Sequence, residues 1–211
     1  MPHTPKLTWY FDPISPFAYL ALPEVERLAR THVIEWRPIV FGAVLANWGQ
    51  LGPAEIAPKR VHTYQLCQFL ADRAGIPLRF PPRHPFRSLE TLRLLAAHDS
   101  IDLATIRTVF DFIWLEGHDP SDPAEHEALA TRLGTPAMAS DEAKARLRAW
   151  TEDAIAAGVF GVPTLAIGST LFWGLDAMPM AEATLADPGL LDRGEMARLS
   201  ALPVGVARKA K

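Results

Sequence analysis

The spacing of apolar positions changes twice in the opening stretch of the chain. Leu7-Thr-Trp-Tyr-Phe is dense in aromatic and apolar side chains, the chemistry of a strand, and it stops at Asp12-Pro13. From there Phe17, Leu20, Ala21, Val25 and Leu28 recur at a helical period, with Ser15 as the N-cap and Pro16 at the first helical position. Pro23 is expected to kink this helix. Val33-Ile-Glu-Trp-Arg-Pro-Ile-Val-Phe then returns to strand chemistry. The chain up to this point reads as β-α-β, a unit whose two strands are normally parallel.

From Asn47 to about Ala157 the pattern is helical with Pro-rich breaks and no convincing strand. Ser88 precedes Leu89-Glu-Thr-Leu-Arg-Leu-Leu, and Ile106, Val109, Phe110 and Ile113 keep helical spacing. Asp122-Pro123 opens a helix that Gly134 closes, and Ser140 caps another that ends at Gly158. The last third shows Thr164-Leu-Ala-Ile, a Gly168-Ser169 turn and Leu171-Phe-Trp, a hairpin, followed by a helix after Met178-Pro179. A β-α-β unit and a β-β-α unit separated by helices give an α/β chain of thioredoxin-like fold with a large all-helical insertion. The corresponding division is residues 1–46 and 158–211 for the thioredoxin-like domain and 47–157 for the insertion.

Composition narrows the function classes. The 211 residues, 49% apolar, are enough for one sizeable core or a core plus a helical subdomain. A net charge of -3, with no basic run beyond the short tail Arg208-Lys209-Lys211, argues against nucleic acid or an anionic membrane as the main partner. The start Met1-Pro-His-Thr-Pro-Lys lacks the pattern of a secretory signal, and no apolar run approaches the roughly 20 residues of a bilayer span, so a cytoplasmic location is expected. Cys67 is the only cysteine. Dithiol redox chemistry is therefore excluded, and its spacing with Val61, Tyr64 and Ala71 reads as a packed core thiol. His118-Asp119 and His126 fall in a Pro- and Asp-rich stretch read as a solvated loop, so no metal site is expected.

Three segments carry candidate chemistry. Ser15 stands at the N-terminus of the first helix, where unpaired amides and the helix dipole favour an anion such as a thiolate; Ser-Pro is equally the ordinary chemistry of a cap. Gly158-Val-Phe-Gly-Val162-Pro163-Thr leads into a strand. In a thioredoxin fold this loop lies beside the start of the first helix, and a cis proline there would offer the backbone of Val162 to a peptide-like ligand. Asp176, after Phe172-Trp-Gly-Leu, could meet an ammonium group or be an exposed turn residue.

Taken in order, D-x-x-S-P-x-A-Y-L, G-A-V with P-x-K-R nearby, P-P-x-x-x-P-x-x-S-L, G-V-F-G-V-P-T and F-W-G-x-D resemble the 2-hydroxychromene-2-carboxylate isomerase family over roughly residues 7 to 185. That family is similar to kappa-class glutathione transferases and thioredoxin-like disulfide oxidoreductases. The resemblance implies glutathione as cofactor or cosubstrate and a small aromatic substrate. It implies Ser15 at the thiolate, the Val162 backbone beside cis Pro163 at the tripeptide, and Asp176 at the γ-glutamyl ammonium. Lys59 would meet a carboxylate or be an exposed helix-start lysine, and Gln50 would also contact glutathione. A cis-trans isomerisation through a transient thiolate adduct and a homodimer are implied too. The rival readings are a kappa-like transferase and a non-catalytic thioredoxin-fold binding protein. The chain departs from the family where asparagine is frequent, at Gln50 and Arg87, and where arginine tends to follow the aspartate, at Ala177.

Overall fold

A computed structural model describes residues 5–206; the basic tail at 208–211 and the extreme N-terminus lie outside the described residues. Strand β1, Leu7–Phe11, is central. It runs parallel to β2, Ile34–Pro38, and antiparallel to β3, Thr164–Ile167, which pairs with β4, Thr170–Trp173, giving the order β2-β1-β3-β4. Trp9 and Phe11 alternate onto one face of β1 and stack with ring centroids 4.6 Å apart. Each such fully buried large side chain contributes roughly 1.5–3 kcal/mol relative to exposure.

Helix α1, Pro16–Ala29, crosses from β1 to β2 and continues through Pro23 as one element. The second strand is shorter than its composition suggests. It stops at Pro38, and Phe41 opens α2, Phe41–Asn47, because the Phe41 amide is captured at 3.1 Å by the Asp12 carboxylate. Helices α3, Ala57–Ala74, α4, Leu89–Ala96, α5, Leu103–Phe110, α6, Pro123–Leu133, and α7, Asp141–Ala156, then precede β3. A π-helical turn at Asp111–Leu115 extends α5, so Ile106, Val109, Phe110 and Ile113 are all fully buried. Asp122 caps α6, and Gly134 ends it in the left-handed conformation that glycine adopts at least cost. Ser140 caps α7 as its position suggests.

Cys67 is the fully buried core thiol that its spacing suggests, with Ala71 buried beside it, while Val61 at the outer end of the same series is 54% exposed. The solvated-loop reading fails. Asp119 is not solvated: it is 2% exposed, held by an ion pair with Arg83 at 2.7 Å and by the Ser121 amide. After β4 come α8, Met178–Ala186, and a further short helix α9, Gly194–Ser200. No helix among the described residues is long and apolar enough to cross a membrane.

Candidate functional site

Register gathers four chain segments at one end of the sheet. In the parallel pair Phe11 lies opposite Pro38, so residues 12–15 and 39–41 leave the same end. In the antiparallel pairs Tyr10 lies opposite Thr164 and Thr164 opposite Trp173, which brings 161–163 and 174–176 to that end as well. The Gly174 amide donates to the Pro163 carbonyl at 2.9 Å and ties the last two together.

Asp12 organises the first of these segments. It is 1% exposed, and its carboxylate accepts from the Ile14 amide at 3.0 Å, the Phe41 amide at 3.1 Å and the Ser88 hydroxyl at 3.1 Å. Burial pushes its pKa up to about 6 against these hydrogen bonds, which pull it down. Ser88 precedes α4 but makes no side-chain cap there, its hydroxyl being turned to Asp12 instead. Three residues on, Ser15 is 7% exposed, and its Oγ accepts from the Ala18 amide at 3.3 Å. Its hydroxyl proton remains available to an acceptor, at a helix start that carries no acidic side chain in its first turn.

The Val162–Pro163 bond is cis. Among the described residues neither the amide nor the carbonyl of Val162 makes a hydrogen bond, an orphaned backbone pair in a residue only 7% exposed. Aromatic side chains flank this loop. Phe160 and Trp173 meet edge to face at 5.2 Å, and the exposed Trp48 donates its Nε1 to the Val159 carbonyl at 2.9 Å. Phe17 packs against the main core instead. Asp176 is exposed, its carboxylate folded over Gly174 and free of any ion pair among the described residues. Gln50, in the stretch after α2, and Lys59, in the first turn of α3, are exposed. No hydrogen bond or ion pair links either to Ser15, Val162 or Asp176. Arg87 is exposed too, and its amide donates to Ser121.

Residues 6–186 match the family of the DSBA-like thioredoxin domain. The chain belongs to this family. Within it, the chain is 31% identical to a 2-hydroxychromene-2-carboxylate isomerase of Sphingobium xenophagum, over 87% of this chain and all of that protein. It is 26% identical to glutathione S-transferase kappa 2 of Caenorhabditis elegans, over 89% of this chain and 95% of that protein. The solved structure of a 2-hydroxychromene-2-carboxylate isomerase superposes with a TM-score of 0.73 at 29% identity, covering 92% of this chain and 99% of that one. The fold is thus the thioredoxin fold with a helical insertion, shared with isomerases and transferases. Sequence reasoning missed the roles of Ser88, Trp114 and His84, all of which hold the 12–15 segment from helices or loops far along the chain.

Proposed function

We propose that the chain is a glutathione-dependent cis-trans isomerase of the 2-hydroxychromene-2-carboxylate type. The observation that carries this reading is the orphaned backbone of Val162 at the sheet end from which Ser15 and Asp176 also emerge. A peptide-like ligand would satisfy both Val162 groups at once, as an added strand does at a sheet edge. The donor set fits glutathione: a hydroxyl and a helix N-terminus for a thiolate, backbone for the cysteinyl residue, and a carboxylate for the γ-glutamyl ammonium. Gln50 and Lys59 would reach the remaining polar groups of the tripeptide. Bound glutathione would supply a thiolate that adds reversibly to a conjugated carbon and lets a double bond rotate.

The protein's own part is to lower the thiol pKa through Ser15 and the start of α1, and to orient the tripeptide along Val162 and Pro163. Phe160, Trp173 and Trp48 offer flat apolar surface for a small aromatic substrate. A cytoplasmic location and a homodimeric active form belong to the same proposal, and a single buried cysteine needs no oxidising compartment.

Thermal unfolding with reduced glutathione tests the reading. At about 100 times Kd the ligand adds roughly 2.7 kcal/mol. Asp176→Asn is expected to weaken that shift. Millimolar glutathione that moves neither the melting temperature nor a calorimetric titration would refute the site, and product analysis separates isomerisation from conjugation.

A further inference from the structure

His84 holds the 12–15 segment from outside the ligand-facing groups, and its ring is bound at both nitrogens. Nε2 lies 2.8 Å from the carbonyl of Ile14, the residue before Ser15. A carbonyl only accepts, so Nε2 carries the hydrogen and the neutral ring presents Nδ1 as an acceptor. Nδ1 lies 2.7 Å from Tyr64 Oη, and that hydroxyl is also 2.6 Å from the backbone carbonyl of His84 itself. The one hydroxyl hydrogen of Tyr64 is shared between these two acceptors, so Tyr64 holds the ring and the main chain that bears it through a divided bond. Burial lowers the pKa of His84 and raises that of Tyr64, favouring the neutral form of each. The rings of Tyr64, Phe80, Phe86 and Trp114 surround the imidazole at centroid distances of 5.2 to 6.0 Å, leaving it little freedom to turn.

The two peptide units before Ser15 are each tied at both ends. In the Pro13–Ile14 peptide the carbonyl accepts from Trp114 Nε1 at 2.8 Å and the amide donates to Asp12 Oδ1 at 3.0 Å. In the Ile14–Ser15 peptide the amide donates to the Asp12 carbonyl at 3.0 Å, and the carbonyl accepts from His84. His84 is therefore the only side chain, among the described residues, that holds the peptide unit attached to Ser15. It reaches there from the segment between α3 and α4, 70 positions along the chain.

The geometry points to His84 as a positioning residue that aims Ser15 at its ligand through the Ile14 carbonyl, which sets the tautomer of the ring, with Tyr64 helping to fix its orientation. This rests on the reading of Ser15 as the holder of a glutathione thiolate. Without His84 the Ile14–Ser15 peptide gains a rotational freedom that the helix cap alone does not remove. A misplacement of about 1 Å can cost on the order of a hundredfold in a positioned reaction.

Two measurements test the inference on native protein, His84→Leu, His84→Gln and Tyr64→Phe. In the ligand-free protein, nitrogen NMR of the imidazole is expected to show hydrogen on Nε2. The Ser15 amide resonance should move in His84→Leu and return in His84→Gln, which keeps a donor for the Ile14 carbonyl. With glutathione bound, ultraviolet titration of the thiolate should show its population at fixed pH falling roughly tenfold in His84→Leu, one unit in thiol midpoint. Gln should restore most of the loss, and Tyr64→Phe should fall between. A folded His84→Leu protein with the Ser15 resonance and thiol midpoint of the native protein overturns the inference, as does hydrogen on Nδ1. Failure of native protein to bind glutathione sinks the proposed function instead, and the ligand-free resonances still decide the role of His84.

Discussion

Gly161 leaves the space into which Trp173 folds: a β-carbon built on Gly161 would lie 2.2 Å from the indole Nε1 of Trp173. The crowded atoms belong to a side chain that is 52% exposed, so the ring can swing away where a backbone could not. Gly161→Ala is expected to cost less than about 1 kcal/mol of stability while displacing the indole from beside Phe160. Turnover of an aromatic substrate should drop while the affinity for glutathione holds. Unchanged kinetics for the aromatic substrate would remove the Phe160–Trp173 pair from the proposed substrate surface.

Asp12 makes stability depend on pH in an identifiable window. Its folded pKa of about 6 lies above the ordinary 3.8, so the folded state holds a proton that the unfolded chain gives up sooner. The associated stabilisation is fully present below about pH 4 and is lost as pH rises through about 6, a change on the order of 3 kcal/mol. Asp12→Asn removes that titration. Denaturant unfolding from pH 4 to 7 should show a difference between the two proteins that varies over this window. A constant difference would mean that the carboxylate ionises in the fold as easily as outside it.

Ser15→Ala separates a cap from a thiolate partner. Loss of the cap costs about 0.5–2 kcal/mol, because the Ala18 amide loses the Ser15 hydroxyl oxygen and keeps only the Ser15 carbonyl at 3.0 Å. If Ser15 also donates to a bound thiolate, the thiol midpoint of bound glutathione rises and turnover at saturating glutathione falls further than stability does. A protein that loses stability alone would reduce Ser15 to its capping bond.

Cys67 should be chemically silent. It is fully buried in α3, and desolvation pushes its thiol up to about 12, far from the range in which a thiolate reacts. Native protein is expected to resist alkylation, measured by mass spectrometry, and to become reactive only on unfolding. Fast labelling of the folded protein would place the thiol in an opening segment.

The parts of the fold legible in the chain are those set by near neighbours. Ser15-Pro16 starts α1, and Asp122-Pro123 with Gly134 brackets α6, because caps and left-handed turns act within a few residues. The strand pattern of Leu7–Phe11 is legible because β1 is central and its Trp9 and Phe11 are fully buried. What escapes a linear reading is set by distant partners. The early end of β2 comes from the Asp12 carboxylate 29 positions away, and the diversion of the Ser88 hydroxyl from its own helix comes from the same group 76 positions away. Burial of Asp119 depends likewise on Arg83. In the candidate site Ser15, Val162 and Asp176 are announced by local motifs, but the ring that braces Ser15 has no local signature beyond a histidine before a proline.

The central position of β1 also has a meaning for how the protein is made. Leu7 pairs with Ile34 early in the chain and with Ile167 late, a separation of 160 positions. At roughly 5–20 residues per second of synthesis, β1 waits on the order of ten to thirty seconds for its second neighbour. The helical segments between them emerge in that interval and can pack on one flank while the other edge stays open. The residues around Ser15 are thus translated well before their counterparts at Val162 and Asp176, so a nascent chain that has not yet reached the latter carries half of the candidate site.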